Sequence, residues 1–365
     1  SSEELSKFMI GNNVNKNDIF IEEYIEIKKE LAITAYLNKN KVYFYPIVET
    51  IQEDGICKEV IFPTPLSSHV RKQIKYITKR ILLNFNTKGV FAIEFLYDGN
   101  EIYVNEISPR VHNSSHYTIE ATNCSQFEQH IRSILDLECI EPKMTMSYFK
   151  MTNVLGTDKE IDEKIFNNPN FHWYHKKPKN EYYKKNRKIG HYTKELVITE
   201  IPYPLIYIVM GSSSDLPYLQ PGIDLLKKYN IPIYVNVVSA HRSPIWMYSF
   251  AEEFESKCGR VIIAAAGGAA HLPGMLASIT PLPVIGVPIL TKHLGGQDSL
   301  YSIVQMPDGV PVATVGIGKS KNAAILAMKI LNLTEFVKDI KWENGRKVGF
   351  QIEELGNKFN NFYNF

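Results

Sequence analysis

The stretch LIYIVMGSSSDLPYLQPGIDLLKKY, residues 205–229, combines three patterns that together decide a fold. Residues 205–210 form an unbroken apolar run, which is typical of a strand buried on both faces. The following GSSSD is small and polar, as in a turn that begins a helix. The apolar spacing in residues 216–229 then predicts a helix. A buried strand, a short turn and a helix make up the repeating unit of a parallel α/β sheet.

The same alternation continues toward the C-terminus. Further apolar runs occupy residues 233–238, 260–266, 283–288 and 310–317, with helical patterns between them and after the last run. For residues 201–335 we therefore predict an α/β domain of three layers, a doubly wound parallel sheet of the flavodoxin or Rossmann-like class. The charged, Asn-rich tail, residues 336–365, predicts a final helix and a loose end.

The sequence before residue 200 has a different texture. Residues 29–38 and 41–52 alternate as antiparallel strands do, and residues 89–109 predict two strands joined at Asp98-Gly99-Asn100. Residues 125–135 have the pattern of an amphipathic helix. We predict an α+β domain over residues 1–138, then a small domain and linker over 139–200 that ends near Pro202 and Pro204.

Composition excludes several classes of protein. With 41 Lys+Arg and 39 Asp+Glu, the net charge of +2 argues against broad binding to nucleic acid or acidic membranes, although residues 175–191 are locally basic. The longest apolar run, residues 261–270, is far shorter than the ~20 residues of a membrane span, and no signal segment opens the chain. Four dispersed cysteines predict free thiols and a cytoplasmic location. Because the sequence begins with Ser, we expect it to start inside a longer protein.

Three strand ends carry candidate site residues, because parallel α/β sheets bind ligands at the carboxyl ends of their strands. In GSSSD, which contains Ser212 and Asp215, the hydroxyl groups and the N–H groups at the start of the following helix suit a phosphate, with a plain Ser/Asp helix cap as the alternative. His241 and Arg242 pair a group that titrates near neutrality with a permanent cation. In GGAAH, residues 267–271, the glycines permit close approach of a ligand, and the histidine is equally compatible with a buried structural role.

Two other phosphate-binding motifs are incomplete. GSSSD lacks the GxGxxG spacing of a dinucleotide-binding turn, and GIGKS at 316–320 lacks the first glycine of a P-loop, a position taken by Ala313.

In this order and spacing, GSSSD, VVSAHRSP, AAAGGAAHLPGM, LGGQDSLYSIVQMP and GIGKSKNAA resemble the class I PurE family over about 130 residues. Its members handle carboxylation of aminoimidazole ribonucleotide (AIR) in purine biosynthesis. The resemblance implies a homo-octamer that converts N5-carboxyaminoimidazole ribonucleotide (N5-CAIR) to 4-carboxyaminoimidazole ribonucleotide (CAIR) without metal, biotin or ATP. It implies that His241 carries the proton and that the ribose phosphate and CO2 sites comprise Ser212, Asp215, Ser239, Ala240, Arg242, Gly267, Gly268, Ala269, Ala270 and His271.

Glu94 and Glu106 are candidate metal ligands in the first domain. They lie on adjacent strands of the predicted hairpin, and two carboxylates on one side of a hairpin can hold a divalent metal on a nucleotide phosphate. Solvated strand carboxylates are the alternative. Residues 105–117, NEISPRVHNSSHY, cluster Arg, His and Asn directly after the second carboxylate, as expected where an anion is activated.

This stretch resembles PurK, the ATP-grasp N5-CAIR synthetase with the signature NEIAPRxHNSGH, although Ser115 replaces its glycine. Fusion of synthetase and PurE units occurs in fungal-type AIR carboxylases. The resemblance implies Mg²⁺ at Glu94 and Glu106 and adenosine contacts for Glu22 and Glu30. It implies nucleotide or AIR phosphate contacts for Asn105, Arg110, His112, Asn113, Lys176 and Arg187. About four extra residues occur near 180–186.

The phosphate-loop half of an ATP-grasp domain does not precede Glu22. We therefore expect a partial ATP-grasp domain over 1–138 and no ATP-dependent N5-CAIR synthetase activity, with ATP and Mg²⁺ implied only for a complete PurK domain. The predicted function is CAIR formation from N5-CAIR, or from AIR and CO2 or bicarbonate, with His241 as general acid and base. The alternatives are a direct AIR carboxylase and a non-catalytic module for phosphate-ligand binding and assembly. No nucleic acid or membrane partner is expected.

Overall fold

The computed structural model describes residues 22–85, 87–157, 163–177 and 184–341. A nine-stranded sheet lies before residue 200 and a five-stranded sheet after it. Within the described ranges, no helix combines the length and apolar character needed to cross a membrane. Residues 334–341 are helical, and the rest of the predicted tail lies outside the described residues, as do residues 180–183 of the extra segment.

The first sheet is antiparallel, as predicted, with strand order β6-β5-β1-β3-β4-β7-β9-β8 and β2 paired to β1. Its strands are β1 (Lys29–Asn38), β2 (Lys41–Phe44), β3 (Val48–Glu53), β4 (Ile56–Phe62), β5 (Val90–Tyr97), β6 (Ile102–Ser108), β7 (Phe149–Leu155), β8 (Phe171–Trp173) and β9 (Lys188–Glu195). Pro46 separates β2 from β3, because proline cannot donate a ladder hydrogen bond.

Helices cover both faces of this sheet. The described helices are α1 (Ser68–Phe85), α2 (Thr118–Ala121), α3 (Gln126–Ile134) and the short α4 (Glu163–Phe166). Leu31 and Ile33 of β1 pack with Ile74 of α1, whereas Ala32, which points the other way, packs with Ala121 of α2. The helix predicted at 125–135 is confirmed as α3.

Strands β7, β8 and β9 continue the sheet built by β1–β6. They are the part of the chain for which the sequence predicts a separate small domain. The limit drawn between residues 138 and 139 therefore falls within one hydrogen-bonded sheet, and as a domain division it stays a prediction.

The second sheet is parallel in the flavodoxin-like order β11-β10-β12-β13-β14, which confirms the predicted architecture. Its strands are β10 (Ile206–Met210), β11 (Ile233–Val237), β12 (Val261–Ala266), β13 (Val284–Pro288) and β14 (Ala313–Thr314). The run predicted at 310–317 contributes only the two residues of β14, because Pro311 lacks an N–H for the ladder.

Helices on both faces bury every residue of β10, β12 and β13, which explains their continuous apolar sequences. These helices are α5 (Leu216–Lys228), α6 (Pro244–Glu253), α7 (Leu272–Ile279), α8 (Gln297–Val304) and α9 (Ser320–Ile330). Ile208 packs in the core beneath α5 and α9, and Val209 packs in the core beneath α6, α7 and α8.

The two units meet at the amino ends of β10 and β12, a region called the joint below. Among the described residues, three hydrogen bonds cross the joint: Tyr203 OH to Glu49 Oε2 (2.9 Å), the Leu66 N–H to Ser256 O (2.8 Å) and Arg260 Nε to Tyr148 OH (3.1 Å). Glu49 Oε2 also accepts hydrogen bonds from Lys29 Nζ at 2.6 Å and Thr64 Oγ1 at 2.8 Å. These partners compensate the burial of the Glu49 carboxylate.

Candidate active site

The carboxyl ends of β10, β11 and β12 enclose a cavity of about 420 Å³. Most of the residues predicted for this site line it: Ser212, Asp215, Ser239, Ala240, His241, Arg242, Gly267, Ala269 and His271. Gly268 and Ala270 are not among the lining residues, and Ala270 is fully buried behind the wall. Gly211, Ser214, Ala266 and Leu272 also line the cavity and were not predicted.

The loop after β10 presents small polar groups to the cavity. The Ser212 N–H donates to Asp215 Oδ2 at 3.2 Å, and Ser214 Oγ donates to Ser212 Oγ at 2.9 Å. Burial raises the pKa of the Asp215 carboxyl above its ordinary value. Hydroxyl groups and backbone N–H groups at the start of α5 form a surface that suits a phosphate or a sugar hydroxyl.

Arg242 connects the ends of β10 and β11. Its Nη2 donates to the carbonyl oxygen of Gly211 at 3.0 Å, and its Nε donates to Ser239 Oγ at 3.1 Å. These bonds use two of the five N–H donors of a guanidinium and hold the group in one orientation. A fixed positive charge therefore lies beside the polar loop after β10.

His241 and His271 are in contact across the cavity. His241 Nε2 lies 2.9 Å from His271 Nδ1, and the two rings are nearly perpendicular at 88°. One of these nitrogens donates the shared hydrogen and the other accepts it. Both residues are exposed, so the alternative of a buried structural His271 is wrong. The pair can hold or transfer a proton at the wall of the cavity.

A second cavity, of about 440 Å³, lies in the first unit. Of the residues predicted there, Glu94, Glu106, His112, Asn113 and Lys176 line it. The other five, Glu22, Glu30, Asn105, Arg110 and Arg187, are not among its lining residues, so their assignments stay predictions. Gln52, Cys57, Asn186 and Lys188 line it and were not predicted.

A β-bulge places the two glutamates of this cavity side by side. Phe95 pairs with Val104, but Glu94 pairs with Glu106, so Asn105 is the extra residue on β6. Without the bulge, Asn105 would stand opposite Glu94. Burial, and after it the charge of Glu106, raises the pKa of Glu94. Two adjacent carboxylates supply the oxygen donors that Mg²⁺ prefers, so the residues present fit that ion.

Lys188 is the cation that the sequence analysis missed. Its Nζ donates to Asn113 Oδ1 at 2.8 Å, and Lys176 Nζ donates to the Lys188 carbonyl oxygen at 2.5 Å. Burial lowers the pKa of Lys176. Burial also lowers the pKa of His112, whose Nδ1 lies 3.7 Å from Glu94 Oε1. The basic run at 175–191 contains both Lys188 and Arg187. Which of the two lines the cavity depends on the register of β9, which the sequence does not reveal.

Comparisons with known proteins agree with both halves of this description. The family model for AIR carboxylase matches residues 205–346, and the model for the ATP-grasp domain matches residues 1–127. An N5-carboxyaminoimidazole ribonucleotide mutase from Aquifex aeolicus is 58% identical over 130 residues, which cover 36% of this chain and 78% of that protein.

A phosphoribosylaminoimidazole carboxylase from Candida glabrata is 40% identical over 361 residues. The match covers 87% of this chain and 62% of that protein, so the chain spans less than two thirds of this relative's length. The crystal structure of N5-carboxyaminoimidazole ribonucleotide synthetase from Thermus thermophilus is 28% identical, with a TM-score of 0.47, over 54% of this chain and 53% of that chain.

Proposed function

Because the chain belongs to the AIR carboxylase family, we propose that it forms CAIR by rearranging N5-CAIR in purine biosynthesis. The observation that carries the proposal is the contact of His241 with His271 in one cavity with Arg242. A proton carrier and a fixed cation at the same sheet edge are what a reaction on a phosphorylated imidazole needs. The name of the Aquifex relative supports the choice of substrate.

In the proposed complex, the strand-end loops bind the nucleotide. The guanidinium of Arg242 and the hydroxyl groups of Ser212 and Ser239 contact the phosphate, since a fixed cation with hydroxyl donors complements that anion. Asp215 accepts hydrogen bonds from the ribose. These contacts position the imidazole ring toward His241 and the segment 267–270.

The proposed chemistry breaks one bond to CO2 and forms another. The C–N bond of the N5-carboxylate breaks, its electron pair stays on N5, and N5 takes a proton from His241. The released CO2 stays against the segment 267–270 while C4 of the imidazole attacks it and forms the new C–C bond. The C4 proton then returns to His241, so the reaction neither gains nor loses a proton. The bound nucleotide covers the cavity and retains the CO2.

Ultraviolet detection of CAIR decarboxylation, the reverse reaction, tests the proposal. We expect turnover by the unmodified chain and a loss of about 10²–10⁴-fold in His241→Asn, because general acid–base groups contribute that much. His69→Asn, an exposed histidine on α1, is the matched control and should keep full activity. A loss below about tenfold in His241→Asn refutes the assigned proton carrier. Feeding N5-CAIR, and separately AIR with bicarbonate, distinguishes the mutase from a direct carboxylase, and turnover of neither refutes both.

We propose that the cavity of the first unit binds the phosphates of a nucleotide and Mg²⁺. Glu94 and Glu106 would hold the ion, which supplies charge neutralisation at the phosphates. Lys188 and Lys176 add positive charge to the same cavity. The ATP-grasp match supports this use. Titration of the chain with Mn²⁺, followed by electron paramagnetic resonance, tests the ion site. Glu106→Gln should abolish the binding of Mn²⁺.

We also propose the homo-octamer through the second unit, the domain limits given above and a cytoplasmic location. The exposed apolar side chains Ile245 and Tyr248 on α6, with exposed fractions of 83% and 51%, support a subunit contact there. Analytical ultracentrifugation of the chain tests the assembly, and a monomer refutes it.

A further inference from the structure

Ser299, on α8, joins the ends of two strands behind the first cavity. Its Oγ accepts a hydrogen bond from the Gly268 N–H at 2.8 Å and donates one to the Ile289 carbonyl oxygen at 2.8 Å. Both directions are compatible with one hydroxyl group, which has a single proton and two lone pairs. The Ser299 side chain is fully buried, and its bond to Ile289 is buried with it, whereas Gly268 is partly exposed. The residue is outside the cavity and touches none of the reacting groups proposed above.

The segment that Ser299 holds leads directly to the histidine pair. Gly268 has φ +67°, in the left-handed region that favours glycine. The Ala270 N–H donates to Gly268 O at 2.8 Å, and the His271 N–H donates to Ala269 O at 2.9 Å. Residues 268–271 therefore form consecutive tight turns that end at the partner of His241. A shift of the Gly268 peptide displaces the His271 ring.

Ser302, one turn further along α8, makes a weaker contact with the next peptide group, through the Gly268 carbonyl oxygen. Its Oγ lies 2.7 Å from Asp298 O and 3.2 Å from Gly268 O. A hydroxyl group has one proton to donate, and the shorter contact takes it. Among the described residues, the firm side-chain bond to the Gly268 backbone is therefore that of Ser299.

We propose that Ser299 is a positioning residue for the reaction: it fixes the segment 268–271 and, through His271, the ring of His241. The proposal rests on the proposed function. It predicts different effects on kcat and on KM, because the residues proposed to contact the phosphate, Ser212, Ser239 and Arg242, follow β10 and β11 and not the segment that Ser299 holds. Loss of Ser299 therefore lowers kcat and leaves KM nearly unchanged.

Steady-state decarboxylation of CAIR by Ser299→Ala measures both effects. We expect kcat to fall about 10- to 100-fold, because two backbone polar groups lose their partner, with KM within about twofold. Ser278→Ala is the matched control: it removes a serine hydroxyl that bonds only the Met275 carbonyl oxygen on the exposed side of α7, and its kcat should be unchanged. A kcat of Ser299→Ala within about threefold of the unmodified chain overturns the proposal.

A double-mutant cycle separates positioning from general damage. If Ser299 acts through His271, Ser299→Ala should cost less than about threefold in a His271→Asn background, because the two changes interrupt one connection. An equal cost in both backgrounds overturns the proposal. Should Ser299→Ala fail to fold, Ser299→Cys, which keeps the volume but has a weakly bonding thiol, carries the same measurements and the same two outcomes.

Hydrogen exchange distinguishes failure of this proposal from failure of the proposed function. Amide exchange at residues 268–271, measured by mass spectrometry, should be at least about tenfold faster in Ser299→Ala than in Ser278→Ala. Unchanged exchange overturns the positioning role whether or not CAIR is turned over. If the unmodified chain shows no turnover of CAIR, the proposed function fails, whereas faster exchange still confirms that Ser299 holds the segment.

Discussion

Removing the charge of Glu49 should weaken the joint between the two units. In Glu49→Gln the side chain keeps its shape, but the Lys29 ammonium loses its counter-charge and the hydroxyl groups of Thr64 and Tyr203 lose an ionised acceptor. The Lys29 and Glu49 side chains are only 21% and 12% exposed, so water can replace little of this interaction.

The magnitude follows from the type of interaction. Hydrogen bonds to charged groups contribute about 1.5–3 kcal/mol each, and breaking a fully buried ion pair costs about 3–5 kcal/mol. Because this pair keeps some exposure, we expect Glu49→Gln to lower the free energy of unfolding by about 2–3 kcal/mol. Tyr203→Phe removes a single bond across the joint and should cost about 1–2 kcal/mol.

Urea unfolding, with hydrogen exchange followed separately in peptides of the two sheets, measures these losses. The matched control is Glu53→Gln, which removes the ion pair with Lys58 at 3.0 Å, where the Glu53 side chain is 68% exposed; it should cost less than about 0.5 kcal/mol. A Glu49→Gln loss no larger than the control refutes the reasoning. The reasoning is also refuted if the losses in the free energy of unfolding of Glu49→Gln and Tyr203→Phe simply add in the double variant. Residues that share a hydrogen bond should show a coupling energy.

Two further predictions concern stability. Burial lowers the pKa of His116 to about 4 and the pKa of His191 to about 3. In the unfolded chain both histidines have a pKa of ~6.5, so only the unfolded state takes up protons as the pH falls below that value. The free energy of unfolding is therefore highest above pH ~6.5 and decreases as the pH falls toward the folded-state pKa values. In urea unfolding, the free energy of unfolding of the first unit should be about 2–4 kcal/mol lower at pH 5.0 than at pH 7.5. The difference should be smaller in His191→Asn, and equal stability at the two pH values contradicts the prediction. Gly222→Ala should cost about 1–3 kcal/mol in thermal unfolding, because its Cβ would lie 2.6 Å from the Ser320 carbonyl oxygen on α9. The control Gly316→Ala meets only the flexible Lys319 side chain, and equal losses would contradict the explanation.

The second unit is largely predictable from the sequence. Its strands are buried on both faces, so each appears as an apolar run, and parallel topology brings the ends of β10, β11 and β12 to one edge without knowledge of any contact. His241 and Arg242 could therefore be placed near Ser212 from the sequence alone. The distance between His241 and His271 could not, because it depends on the turns of residues 268–271.

The first unit is less predictable because its functional groups depend on register. A twelve-residue spacing of Glu94 and Glu106 does not show that a bulge at Asn105 aligns them. Lys188 and Arg187 are adjacent cations in the sequence. Only the pairing of β9 with its neighbours shows which of them lines the cavity. Ser299 belongs to a motif that the sequence analysis quoted, but its role arises from a tertiary hydrogen bond.

The position of the joint keeps the two cavities independent of each other. The first unit is attached at the amino ends of the parallel strands, whereas the cavity with His241 opens at their carboxyl ends, one strand length away, about 16 Å for five residues. In the first unit, Ile56 and Cys57 at one end of β4 line the second cavity, and Phe62 at the other end reaches the joint side. Each cavity is therefore lined by residues of its own unit, and a substitution at the joint should leave the lining of both unchanged.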